Sequence, residues 1–216
     1  MALCRSIYRD YRRYIATDER WYETLFLCQG FWAGCLYRVA RAVCQPLRTR
    51  WLRRPLGLFF AVLQLIMEIV AGISISPQCE IGDGLYIGHF GNIIFPAHGR
   101  LGRNCNVSQG VTLGLAGRGA NRGAPAIGDR VYIGPNAIVV GKITVGHDAK
   151  ICAGAVVTRP IPPCAVVMGN PARVISYQGS FDDITYDGME SDPDRMAAIM
   201  SDVQSRAGAA AEVLAS

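Results

Sequence analysis

The stretch that decides the fold is residues 127 to 151, which read IGDRVYIGPNAIVVGKITVGHDAKI. An aliphatic residue returns in it at every sixth position, at Ile127, Ile133, Val139, Val145 and Ile151. A period of six fits neither the α-helix nor a free strand, but it fits a chain that turns a corner after each short strand. The stretch therefore predicts short strands that each form one side of a coil.

The same six-residue repeat extends in both directions, and a Gly-rich break at residues 114 to 126 interrupts it. Three sides close one coil of about eighteen residues, in which each inward aliphatic residue stacks on those of the neighbouring coils. We therefore expect a triangular parallel β-prism. The further inward positions, with a two-residue slip before Leu101, are Ile75, Ile81, Ile87, Ile93, Leu101, Val107, Leu113 and Val157.

Length and composition exclude several classes of protein. A chain of 216 residues that is 50% hydrophobic can bury a core and is not disordered overall. Its eight cysteines form no CxxC pair, so we expect neither a zinc module nor a disulfide framework, and no metal. The start of the chain lacks the basic-then-apolar layout of a signal peptide, which predicts a cytoplasmic location.

The charge is distributed unevenly along the chain. Residues 1 to 60 hold eleven arginines and four acids, whereas eight acids and two arginines follow from residue 176 onward. The acidic end indicates a solvated, partly helical tail, and the pattern does not favour nucleic-acid binding. We expect an α-helical segment over 1–72, a β-helix domain over 73–175 and the acidic tail over 176–216.

The most apolar stretch of the chain runs from Leu56 to Ile73. It is too short for a membrane-spanning helix, because only 13 residues separate Arg54 from Glu68. The preferred interpretation is a helix buried at a trimer axis or against the first coil. The alternative is peripheral contact with the inner face of a membrane through a basic flank of Arg48, Arg50, Arg53 and Arg54.

The repeat region resembles the left-handed β-helix hexapeptide acyltransferases, and the serine acetyltransferase branch is the most similar. The segments that carry the resemblance are Ile81-Gly-Asp-Gly-Leu-Tyr-Ile-Gly-His89, Ser108-Gln-Gly-Val-Thr-Leu-Gly114, Ile127-Gly-Asp-Arg-Val-Tyr-Ile-Gly134, Ile151-Cys-Ala-Gly-Ala-Val-Val157 and Gly169-Asn-Pro-Ala-Arg173. The resemblance implies a mainly β fold, a left-handed parallel β-helix preceded by helices. It also implies a homotrimer with active sites between neighbouring prisms and acetyl-CoA as the donor.

The resemblance assigns the catalytic base to His89, which occupies the family's Ile-Gly-His position. Acetyl transfer to a hydroxyl needs such a base because a neutral alcohol is a poor nucleophile. Gln109 lies twenty residues later and is expected beside His89 on the same face. It either orients the base or holds the acceptor, and a side-chain amide ladder between coils is the structural alternative. His147 is interpreted as a polar corner residue, and His98 matches no family position.

Several positions depart from the serine acetyltransferase pattern. The aspartate fifteen residues before the histidine is Ser74 here, and the acidic residue of the helical domain aligns with Ile15. The loop reads Asn121-Arg122-Gly123, so the histidine that follows an Asp-Arg pair in that branch is missing. The chain ends in Ala-Ser instead of the isoleucine that docks cysteine synthase, so no such complex is expected.

These departures favour a sugar acceptor, because an amino acid requires matched charges in its site. The resulting prediction is an O-acetyltransferase acting on a small-molecule or lipid-linked sugar of a surface polysaccharide precursor. Serine O-acetylation and a non-catalytic oligomeric scaffold remain as alternatives. The residues expected at the acceptor are Asn92, Arg118, Asn121 and Arg122, although the loop arginines could equally be solvated.

The resemblance also suggests where the donor binds. In the family the pantetheine arm lies in the groove between two prisms, where small residues permit close approach. The residues that match by motif are Gly114, Gly134, Ala153 and Gly154, with Lys150 or Arg173 near the adenosine phosphates.

Overall fold

The computed structural model describes residues 2–17, 20–45 and 50–201. Helices form the first part of the chain, and short strands form nearly all of the rest. The helices are α1 (Ala2–Ile15), α2 (Trp21–Phe26), α3 (Gln29–Cys44) and α4 (Arg50–Ala71). The first strands are β1 (Ile73–Ile75), β2 (Glu80–Ile81), β3 (Tyr86–Ile87), β4 (Ile93–Phe95), β5 (Arg100–Leu101), β6 (Asn106–Val107) and β7 (Thr112–Gly114). The later ones are β8 (Ala126–Ile127), β9 (Tyr132–Ile133), β10 (Ile138–Val140), β11 (Thr144–Val145), β12 (Lys150–Ile151), β13 (Val156–Val157), β14 (Val166–Met168) and β15 (Arg173–Ser176).

Successive strands belong to three different sheets, so the chain winds around a triangular prism. Sheet A has the order β1-β4-β7-β10-β13, sheet B β11-β8-β5-β2, and sheet C β15-β14-β12-β9-β6-β3. All pairs are parallel except β14 with β15. Every inward aliphatic residue that the repeat predicted is buried, and the predicted fold class, a left-handed β-helix preceded by helices, is confirmed.

The two-residue slip lies at a different place from the one predicted. Strand pairing aligns Ile75 with Phe95 and Ile87 with Val107, so Phe95 takes the stacking position that the sequence gave to Ile93. The extra residues therefore belong to the corner between β3 and β4, residues 88–92. Ile93 lies two residues before Phe95 on the same strand and is also buried. For that reason the six-residue count continued to Ile93 and placed the two extra residues too late in the sequence.

A buried ion pair fastens the helices to the prism. Asp10 of α1 accepts two hydrogen bonds from Arg38 of α3, at 2.9 and 3.0 Å. The same carboxylate accepts hydrogen bonds from the backbone amides of Gly84 and Leu85, while Arg38 also donates to the carbonyl of Ile81. Both side chains are at least nine-tenths buried. Each one balances the charge of the other, which would be costly to bury without a partner.

Helix α3 lies directly on the first coil. A Cβ atom at Gly30 would overlap the carbonyl oxygen and the side chain of Ile87, so the close approach requires glycine there. Tyr37 of the same helix donates a hydrogen bond to the carbonyl of Cys79. The helical layer therefore closes the end of the prism where the first coil begins.

Helix α4 differs from the buried helix that the sequence favoured. It is long and apolar enough to cross a membrane by length and composition, yet only 6% of its residues 54–71 are buried. Met67 packs on the core, whereas Leu58, Ile66 and Ile69 are exposed in the single chain. Burial at a trimer axis stays a prediction. Arg48 and the side chains of Arg50 and Arg53 lie outside the described residues, and Arg54 is exposed.

The charge pattern predicted a solvated acidic end, but part of this segment is buried. Ile184 and Tyr186 are 2% and 7% exposed, and the Ser180 hydroxyl donates to the carbonyl of Arg130. Asn106 donates to the carbonyl of Asp183 as well. Alternating apolar residues in this short segment bury against sheet C despite the charges around them. Residues 193–201 are helical, and the predicted tail beyond residue 201 lies outside the described residues.

Replacing Arg38 should test how strongly the ion pair holds the helices. Arg38→Met leaves Asp10 buried without its cation, so we expect the free energy of unfolding to fall by about 3–5 kcal/mol. Urea unfolding at fixed protein concentration, followed by circular dichroism, measures this change. The control is Arg100→Met, which breaks an exposed pair with Glu80 and should cost less than about 1 kcal/mol. Equal midpoints for the two variants would show that the pair is not the anchor.

Candidate active site

The turns from sheet C to sheet A stack into a column that we call the C–A corner. It consists of residues 88–92, 108–111, 134–137 and 152–155. Backbone hydrogen bonds join its layers, from the Gly110 amide to the Gly91 carbonyl, from Asn136 to Gln109 and from Gly154 to Pro135. The repeat thus places residues from four coils at one edge of the prism.

His89 projects from the widest layer of this corner. Its side chain is exposed, and its imidazole makes no hydrogen bond to any described residue. The preceding strand is held firmly, because the Ile87 amide donates to the Tyr14 hydroxyl, which in turn donates to the Ile87 carbonyl. A firmly held strand next to His89 and an imidazole without a hydrogen-bond partner suit proton transfer to or from a bound hydroxyl.

Gln109 occupies the next layer of the same corner, as the spacing predicted. Its Oε1 atom is buried and accepts no hydrogen bond within the described chain. A continuous amide ladder would give that oxygen a donor, so the ladder interpretation is not what the structure shows. A buried, unsatisfied acceptor is costly and is characteristic of a group that awaits a ligand or a neighbouring side chain. Its roles in orienting the base or holding the acceptor stay predictions.

The other two histidines lie elsewhere. His147 stands at the turn from sheet B to sheet C, where its Nδ1 accepts a hydrogen bond of 3.0 Å from the Asp129 amide. That contact agrees with a structural corner role. His98 lies in the turn from sheet A to sheet B with a φ of 62° and is exposed.

The Gly-rich break forms a loop that folds back on itself. Ala116 and Gly123 exchange backbone hydrogen bonds, and a short 3₁₀ turn spans Gly119–Asn121. Arg118, Asn121 and Arg122 are exposed on this loop. Asn92, by contrast, lies at the C–A corner with a φ of 50°.

Within one chain the loop and His89 are at opposite ends of the sheet A strands, since the C–A corner precedes those strands and the loop follows them. The single chain therefore does not bring the loop arginines to His89. A site that uses both requires a second chain.

The residues predicted for the donor fall into two groups. Gly134, Ala153 and Gly154 belong to the C–A corner, and Gly154 has a φ of 68° with open space around it. The other predicted donor residues lie away from that corner. They are Gly114 at the end of β7, Lys150 on the outer face of sheet C and Arg173 on β15.

Lys150 is already engaged by the folded C-terminal segment. Its ammonium lies 2.8 Å from the Asp183 carboxylate, and this hydrogen bond raises the pKa of Lys150 despite some burial. Asp183 could not be anticipated as its partner, because the acidic end was interpreted as solvated. A phosphate role for Lys150 would require that pair to open.

Glu68 is a residue that the sequence gave no reason to select. The Ser74 hydroxyl donates a hydrogen bond of 2.6 Å to Glu68 Oε1, and Gln64 Nε2 lies 3.4 Å from the same atom. A carboxylate from α4 thus reaches the position where the resemblance expects an aspartate on β1. The apolar character of α4 had drawn attention away from its one acid.

Burial raises the pKa of the Cys152 thiol, with the neighbouring Lys150 acting weakly in the opposite direction. The thiol is therefore held in its protonated form at the C–A corner. Since the thiolate is the nucleophilic form, burial disfavours a nucleophilic role for this cysteine.

Comparison with known proteins identifies the family. The family model described as bacterial transferase hexapeptide (six repeats) matches residues 125–159. The serine acetyltransferase of Mycobacterium tuberculosis is 40% identical over 108 residues, covering 50% of this chain and 47% of the relative. That of Helicobacter pylori is 32% identical over 161 residues, covering 74% and 89%. The chain thus spans about half the length of one relative and nearly all of another.

Solved structures agree with these sequence matches. Neisseria gonorrhoeae serine acetyltransferase in complex with serine is 30% identical, with a TM-score of 0.71 over 81% of this chain and 69% of that chain. Serine acetyltransferase from Brucella abortus in complex with coenzyme A is 27% identical, with a TM-score of 0.73 over 82% and 68%.

These relatives correct one prediction and confirm another. The main prediction for the acceptor, a polysaccharide sugar, is wrong, because the matched relatives and solved structures are serine acetyltransferases. The prediction rested on charged residues that are missing at aligned positions, and Glu68, which lies next to Ser74, is not at an aligned position. The prediction of a hexapeptide-repeat acyltransferase fold with a serine acetyltransferase resemblance is confirmed. The chain belongs to the serine acetyltransferase family of hexapeptide-repeat acyltransferases.

Proposed function

We propose that this protein transfers the acetyl group of acetyl-CoA to the hydroxyl of serine. The observation that carries the proposal is the C–A corner, where an exposed His89 and Gln109 with its unsatisfied Oε1 lie in adjacent layers, in a chain of this family. The serine-bound relative from Neisseria gonorrhoeae supports serine as the acceptor.

The chemistry assigned to His89 is that of a general base. Its neutral imidazole takes the proton of the serine hydroxyl as that oxygen attacks the thioester carbonyl carbon. The carbon–sulfur bond then breaks, and the imidazolium returns the proton to the departing CoA sulfur. O-acetylserine and CoA are the products, and no metal or redox step is needed.

The charges of serine have counterparts on the proposed site. A guanidinium binds a carboxylate in bidentate fashion, which suits Arg122, with Arg118 on the same loop. Glu68 offers a negative charge for the ammonium group, since its carboxylate is exposed next to Ser74. These assignments rest on the second chain described next.

A homotrimer is the proposed assembly. Phe90, Ile94, Leu115 and Ile138 are between 37% and 60% exposed along sheet A and the corners that flank it. An apolar strip beside a candidate active site is typical of a surface that another subunit covers. Such a contact would bring the loop of one chain toward the C–A corner of the next.

The donor is proposed to run along the later layers of the C–A corner. Gly154 has open space around it and the neighbouring Ala153 is small and exposed, which leaves room for a pantetheine arm, whereas Gly134 packs against the backbone of the next coil. The Brucella abortus relative was solved in complex with coenzyme A. Arg173 is exposed on the last strand, within the same half of the prism.

The function is tested by measuring thiol release from acetyl-CoA with single candidate acceptors. We expect release that depends on L-serine and forms O-acetylserine in equal amount, detected by mass spectrometry. N-acetylserine and serine methyl ester each lack one charge and should be poorer acceptors. Serine-independent release, or none with serine while another hydroxyl compound is acetylated, would refute serine as the acceptor.

Removing the base should abolish most of the activity without affecting assembly. We expect His89→Ala to lower kcat by at least ~100-fold, because proton removal by a positioned base contributes on that scale. The matched control is His147→Ala at a different corner, for which kcat should stay within about twofold. Size-exclusion chromatography checks that both variants assemble alike. A His89→Ala enzyme within a few-fold of wild type would remove the residue from this role.

Arg122→Gln should weaken binding of serine through its carboxylate. A hydrogen-bonded charge contributes about 1.5–3 kcal/mol, so KM for serine should rise roughly ten- to hundredfold. The variant should also lose the preference for serine over its methyl ester. Arg159→Gln, an exposed arginine outside the loop, serves as the control. An unchanged KM in Arg122→Gln would mean that the loop arginine is only solvated.

A further inference from the structure

A cavity next to helix α1 lies away from the C–A corner. It is bounded by α1, by the turn from sheet B to sheet C that carries Asp83 and Arg103, and by the segment from Tyr186 to Asp192. Its volume is about 480 Å³, which falls within the range of small-molecule sites. The proposed acetyl transfer makes no use of it.

Arginines dominate the wall of this cavity. Arg5, Arg9 and Arg12 recur at the spacing that places residues on one face of a helix, and Arg103 stands on the opposite wall. Three aspartates accompany them. The full set of charged lining residues is Arg5, Arg9, Arg12, Arg13, Arg103, Asp83, Asp187 and Asp192.

The ion pairs at the mouth of the cavity hold its arginines in place without saturating them. Arg9 lies 2.6 Å from Asp83, and Arg12 lies 2.8 Å from Asp187. Asp187 is 63% exposed, and such surface pairs are weak enough for Arg12 to exchange its partner. Burial raises the pKa of Asp83, but hydrogen bonds from Ser6 and Arg9 outweigh it and keep this carboxylate ionised.

The floor of the cavity contains a buried cation that lacks a counter-charge. Arg13 is 1% exposed, and its Nε and Nη1 atoms have no hydrogen-bond partner within the described ranges. Nη2 donates to Oδ1 of Asn106, and the guanidinium carbon lies 5.6 Å from the centre of the Tyr86 ring. Burial lowers the pKa of Arg13 to about 10, because the charge is desolvated without an acid beside it.

The other buried arginines show what is missing at Arg13. Three arginines are buried among the residues that the structure describes, and the remaining two each face a buried aspartate. Arg38 pairs with Asp10 at 2.9 Å, and Arg130 pairs with Asp148 at 2.7 Å. A buried charge without a partner is costly, and among the three buried arginines Arg13 is the one that the described residues leave without a counter-charge.

We propose that this cavity binds a small anion carrying two or more phosphate charges, with Arg13 at its floor and Arg5 and Arg12 at its mouth. Arg9, Arg12 and Arg103 each pair with an aspartate, whereas Arg5 and Arg13 have no acid within ion-pair distance among the described residues, so a single carboxylate would leave one of these two unbalanced. Guanidinium groups match phosphate oxygens in geometry, and a buried charge is poorly screened by salt. Arg13 therefore attracts the anion even where its own N–H groups stay covered.

The site is distinct from the proposed active site. Asp83 and Arg103 stand at the turn from sheet B to sheet C, whereas His89 and Gln109 stand at the next corner along the chain. If the donor's phosphates occupied the cavity, acetyl-CoA would compete with the anion. The experiment therefore includes acetyl-CoA as a competitor.

Binding is measured by isothermal titration calorimetry with pyrophosphate as the probe and acetate as the monovalent comparison. We expect saturable binding of pyrophosphate, at least about tenfold tighter than that of acetate. Arg5→Ala/Arg12→Ala should weaken it at least about tenfold, because two surface charges are removed from the mouth. The matched control, Arg100→Ala/Arg159→Ala, removes two exposed arginines outside the cavity and should bind as wild type does. Binding should persist at saturating acetyl-CoA.

Arg13→Met gives a second and independent readout. Removing an unpaired buried charge should raise the melting temperature without phosphate, opposite in sign to the effect of Arg38→Met. Pyrophosphate should raise the melting temperature of the wild type but not that of Arg13→Met. The proposal is overturned by absence of binding at millimolar pyrophosphate, by binding that the double variant leaves intact, by loss of binding with acetyl-CoA, or by an Arg13→Met protein less stable than wild type.

Discussion

Register between coils is the constraint on which the rest of the molecule depends. Three parallel sheets hydrogen-bond each coil to the next, so the inward residue of one coil lies over that of its neighbour, as Ile133 lies between Val107 and Ile151. Residues at the corners consequently fall into columns as well. The candidate site depends on this arrangement. His89, Gln109 and Gly154 are far apart in sequence, and the register between coils places them along the same edge of the prism.

The six-residue repeat made most of this architecture predictable, since one buried aliphatic residue per side is a strong and local pattern. The predicted position of the two extra residues was wrong: they enlarge the corner at residues 88–92. Both Ile93 and Phe95 are buried, so a count of inward residues cannot distinguish them. Side-chain contacts between residues far apart in sequence could not be predicted from the repeat. Nothing in the local sequence indicates that Glu68 meets Ser74, or that Arg13 meets Asn106 and not an acid.

Helix α1 links the features that matter most for function. Asp10 fixes it to the first coil, Tyr14 bonds to β3 just before His89, and several arginines of this helix line the cavity next to it. One turn of this helix separates a charge that is fully paired from one that is not. Its sequence looks merely basic, and only its placement on the prism divides those charges into a buried anchor and the wall of a cavity.

The antiparallel strand β15 determines where the prism stops. A stack of parallel coils has an open edge on every sheet, and such edges recruit further strands from other molecules. Here the chain reverses and pairs β15 with β14, while the Ala172 amide bonds to Val156 at the end of sheet A. Helices α3 and α4 cover the first coil at the opposite end. The reversal at β15 means that sheet C does not present another parallel strand at this end, so the coil stacking is interrupted there as it is by the helices at the other end.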